Sequence, residues 1–115
     1  MNELDRCKPW IEAAMSRAGG EYTWQDVVEG VTSGNMQLWP AKDAAAVTQL
    51  WDFPNRRVLH VLAAGGSLET LKDMQASAAA FAKANGASAL TVEGRRGWIR
   101  ALGWREISTR AELEI

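Results

Sequence analysis

The sequence predicts a single α/β domain (an α+β mixed sheet) with helices on both faces, in the order α-α-β-β-β-α-β-α-β. Three observations predict it. Residues 58–62 read Val-Leu-His-Val-Leu, an almost unbroken apolar run of the kind found in a central strand covered on both faces. After Ser67 the apolar period changes to that of a helix, with Leu68, Leu71, Met74, Ala78, Phe81 and Ala82 on one stripe. Residues 88–92 then return to strand character, so 57–64 and 88–92 should be adjacent parallel strands joined by a right-handed crossover.

The other elements follow from periodicity and punctuation. Leu4, Cys7, Ile11, Ala14, Met15 and Ala18 recur at helical spacing, with Pro9 marking either a kink or a start, and Gly19-Gly20 ending the helix. Thr23 is an N-cap for a second helix whose apolar face is Trp24, Val27, Val28 and Val31. Ser33-Gly34-Asn35 stops it. Strands are expected over 36–40, 45–53 and 57–64, separated by turns at Lys42-Asp43 and Pro54-Asn55. Ser67 caps the long helix and Asn85-Gly86 ends it. A short helix is expected near 96–102, stopped by Gly103. The last segment alternates: Arg105, Ile107, Thr109, Ala111, Leu113 and Ile115 share one side, and Glu106, Ser108, Arg110, Glu112 and Glu114 the other, as in a half-solvated strand.

Composition narrows the functional classes. At 115 residues the chain fits one domain able to bury a core without metal or disulfides. Its one cysteine, Cys7, excludes an internal disulfide. A formal charge of −1 provides no bulk attraction to nucleic acid or anionic membrane, so nucleic acid could be held only by a local arginine patch. No signal-like or membrane-length apolar run is visible, which points to the cytoplasm or an assembly built there. Six tryptophans are spread along the chain, suited to core positions or to interface anchors.

Few residues suggest chemistry. His60, the only histidine, sits in an apolar strand and reads as a hydrogen-bonded core residue; with Cys7 it makes neither a metal set nor a supported nucleophile pair. Arg95 and Arg96 open a short helix, where the dipole disfavours cations. Gly94 and Gly97 flank them and Trp98 adjoins. Arg95, Arg96, Gly97 and Trp98 therefore form the candidate protein-docking corner, which Arg56, Arg57, Arg100 and Arg105 could extend.

The order of elements, together with Trp98-Ile99-Arg100-Ala101-Leu102-Gly103-Trp104 late in the chain, resembles the GNAT (Gcn5-related N-acetyltransferase) family in a reduced form. The resemblance implies an acetyl-CoA site between the central strand and the next helix, where a Gln/Arg-x-x-Gly-x-Gly/Ala loop cradles pyrophosphate. Here that stretch is Ala64-Gly65-Gly66-Ser67-Leu68-Glu69-Thr70. It lacks the loop's spacing and its leading residue, and Glu69 adds an opposing charge. If acetyl-CoA is bound, Gly65, Gly66 and Ser67 would hold it. The resemblance also implies a general-acid tyrosine four residues before Gly103, but that position is Ile99. The expectation is a pseudoenzyme, with no catalytic residues, cofactor or metal. The stretch Val92-Glu93-Gly94-Arg95-Arg96-Gly97-Trp98, with Leu38-Trp39 and Gly65-Gly66, is similar to short GNAT-like proteins of tailed bacteriophages. That similarity implies a virion or assembly component contacting other phage protein subunits, in the host cytoplasm or the particle. The alternative is an N-acetyltransferase with a divergent acetyl-CoA loop.

Overall fold

Asn2 and Thr23 set the two amino-terminal helices. In the computed structural model, which describes residues 2–16, 21–93, 96–107 and 111–115 (backbone only for Arg96, Gly97 and Trp98), helix α1 spans Glu3–Met15. The Asn2 side chain accepts from the Asp5 amide at 2.8 Å. Pro9 lies inside this helix and does not begin it; Cys7 and Ile11 on either side are fully buried and hold the turn in place. Helix α2, Trp24–Ser33, opens with a reciprocal capping box: the Asp26 amide donates to Thr23 Oγ1 and the Thr23 amide to Asp26 Oδ2. It stops at Gly34, whose φ of 87° suits glycine.

Three antiparallel strands follow, β1 (Gln37–Pro40), β2 (Ala44–Phe53) and β3 (Arg56–Gly66). The crossover then runs through α3 (Leu68–Asp73) and α4 (Gln75–Ala84) to β4 (Ala89–Val92). β4 pairs parallel to β3, and the sheet order is β1-β2-β3-β4. Helix α5, Arg96–Leu102, closes the regular structure among the described residues.

Alternation along β2 assigns the two faces. Ala45 and Val47 face α1 and α2, packing with Cys7, Ile11, Met15 and Val27; Ala44 and Ala46 face the other way, onto Leu71 of α3. Helices therefore cover both faces, as the sequence predicts.

One expectation needs correction. The single helix predicted after Ser67 is two, broken at Met74, although its inward stripe holds: Leu71 and Ala82 are buried and Phe81 is half-buried. The strand predicted for the last segment falls partly on 108–110, outside the described residues; 104–107 and 111–115 have no regular structure. Ile107, Leu113 and Ile115 are left 58%, 86% and 113% exposed.

Candidate functional site

The turn from β3 into α3 carries the candidate cofactor residues. Gly65 and Gly66 are not in a loop; they are the last residues of β3, paired with Ala45 and Ala44. Each has a packing reason to be glycine. A Cβ on Gly65 would come 2.5 Å from the Trp10 carbonyl oxygen, because α1 crosses directly over the strand. A Cβ on Gly66, whose φ is +99°, would come 2.3 Å from the Asp43 carbonyl oxygen. Ser67 caps α3: its Oγ accepts from the Thr70 amide at 3.3 Å, and its own amide donates to the Asp43 carbonyl at 2.9 Å.

Two carboxylates stand at this helix start. Glu69 lies in the first turn, as the sequence indicates. Asp43 arrives from the β1–β2 turn, where its Oδ1 accepts a 2.7 Å bond from Thr70 Oγ1. Sequence reasoning missed Asp43 because its partner is 27 residues away; only the Ala44–Gly66 pairing brings them together. The Ser67 and Thr70 amides are engaged, and the Asp43 and Glu69 carboxylates disfavour an anion at this turn.

β3 and β4 form a fork. Their pairing covers Val58–Val61 with Ala89–Val92, after which β3 continues to Gly66 with only β2 beside it among the described residues. Val61, at the fork, lines a cleft on each face. The cleft under α3 and α4 has about 560 Å³ of atom-free space, part of it open to solvent, and includes Trp39, Thr48, Leu71, Met74, Leu90 and Trp104. Its polar side chains are already engaged. Thr48 accepts from Trp39 Nε1 at 2.8 Å and donates to Gln37 Oε1 at 2.9 Å, and Trp104 Nε1 donates to Gln75 Oε1 at 2.8 Å. The opposite cleft, about 440 Å³, has Glu21, Tyr22, Trp51, His60, Leu62 and Glu93 in its wall.

His60 is a hydrogen-bonded, buried residue, as expected: 6% exposed, with Nδ1 2.8 Å from Thr91 Oγ1. Its ring stacks on Trp51, with centroids 3.8 Å apart. Trp51 alone gives no sequence signal for this contact; the diagonal across β2 and β3 creates it. Cys7 is fully buried, and burial pushes its thiol pKa above the usual value. No group of three or more metal-ligating side chains occurs among the described residues. No helix among them is long and apolar enough to cross a membrane.

In the docking corner, Arg95 lies outside the described residues. Arg96, Gly97 and Trp98 form the first turn of α5, with their side chains outside the description. Of the residues that could extend the corner, Arg57 is tied into the opposite end of β3, donating to Asp52 and to the Asn85 carbonyl.

No protein-family model matches this sequence, and no curated protein matches it. Solved structures do. A probable acetyltransferase superimposes with a TM-score of 0.69 at 13% identity, covering 98% of this chain and 92% of its own. A GNAT family acetyltransferase from Staphylococcus aureus gives 0.59 at 12% identity, covering 100% and 95%. An acetyltransferase from Trypanosoma brucei gives 0.59 at 9% identity, covering 90% and 89%. The chain therefore has a GNAT-like fold, and at such identities the likeness is one of fold.

Proposed function

We propose that this GNAT-like domain works by binding protein, as a non-catalytic component of a phage particle or its assembly. The observation that supports the non-catalytic reading is the β3–α3 turn. Its two glycines are explained by backbone packing, and Asp43 and Glu69 bring two carboxylates to the start of α3, which disfavours an anion there. Ile99, at the place where the resemblance puts a proton-transferring tyrosine, supports the same reading. The phage setting is drawn from the similarity of residues 92–98, and the docking role from Arg95, Arg96, Gly97 and Trp98.

A second reading, an N-acetyltransferase with a divergent acetyl-CoA loop, is favoured by one specific observation. Two clefts of different character meet at Val61, an apolar one on one face and one bearing His60 and Tyr22 on the other. The similar solved structures are also named acetyltransferases.

Calorimetry with acetyl-CoA separates the readings. The expected result is no saturable binding below ~1 mM, a level at which the free energy is only about −4 kcal/mol. Micromolar binding that disappears in Ala64→Trp, which fills the apolar cleft, would establish the second reading. The docking role has its own test. Arg95→Ala with Arg96→Ala should leave the melting temperature within a few degrees, since solvated charges contribute little. The same pair should reduce incorporation into particles; incorporation at the wild-type level would remove the corner from consideration.

A further inference from the structure

We draw no further inference here: the strongest candidate, the apolar cleft between the sheet and the α3–α4 helices, belongs to the site already described, and nothing in the structure shows what fills it.

Discussion

Gly65 shows how a single missing methyl group can organise two elements. Without a Cβ, β3 lets the Trp10 carbonyl of α1 approach it directly. Gly65→Ala should therefore destabilise the fold by roughly 1–3 kcal/mol, the usual range for overpacking, measured by urea unfolding. A glycine kept only to admit a ligand would tolerate alanine without loss of stability. Thr48 is a second such position. It is 1% exposed and links Trp39 to Gln37 through its hydroxyl. Thr48→Val keeps the shape and removes both bonds, so a loss of about 1–2 kcal/mol is expected in the same assay, the cost of stranding half-buried polar groups. At the surface, the Arg57 guanidinium, 2.6 Å from Asp52, holds that carboxyl below its ordinary pKa through a hydrogen bond and charge. A pKa depressed on folding contributes stability above the ordinary carboxylate range, and that contribution is lost as pH falls through the folded value. Because both groups are exposed, the effect on stability should be small. The shift itself should be visible by NMR titration of Asp52 and should vanish in Arg57→Leu.

At the scale of elements, the crossover helix is the most informative. Its period is legible from Leu68 to Ala82, but its break is not. Met74 closes α3 with helical backbone and opens α4 without a side-chain cap, so no residue type marks the junction. Phe81 on α4 is half-buried and meets Trp39 edge to face, with centroids 5.6 Å apart. Phe81→Ala should cost about 2 kcal/mol by chemical denaturation, below the roughly 3–5 kcal/mol of a fully buried aromatic. The four strands of the sheet and the parallel β3–β4 pair are readable because apolar runs and turn residues are local properties. The candidate site divides along the same line. Ser67 as a cap and Glu69 as an opposing charge can be read from neighbouring residues. Asp43 at the helix start, the Trp51–His60 stack and the packing role of Gly65 depend on pairings across the sheet, which no stretch of sequence displays.

At the scale of the molecule, the sheet separates two unlike compartments. On one side α1 and α2 seal a cluster of Cys7, Ile11, Val27 and Val47. On the other, α3 and α4 cover a smaller cluster and leave the apolar cleft beside it partly open. Opening should be unequal, with the cleft side exchanging amides before the α1 side. The sealed side also contains the chain's only thiol, Cys7, at 0% exposure. A thiol reagent in excess can reach it only when α1 lifts from the sheet, so the protein carries its own stopwatch. When closing outpaces labelling, the modification rate reports the population of the open form; when labelling outpaces closing, it reports the opening rate. One unmodified chain, followed by mass in ordinary buffer, would thus time the lifting of α1 without a chromophore, a denaturant or an engineered label.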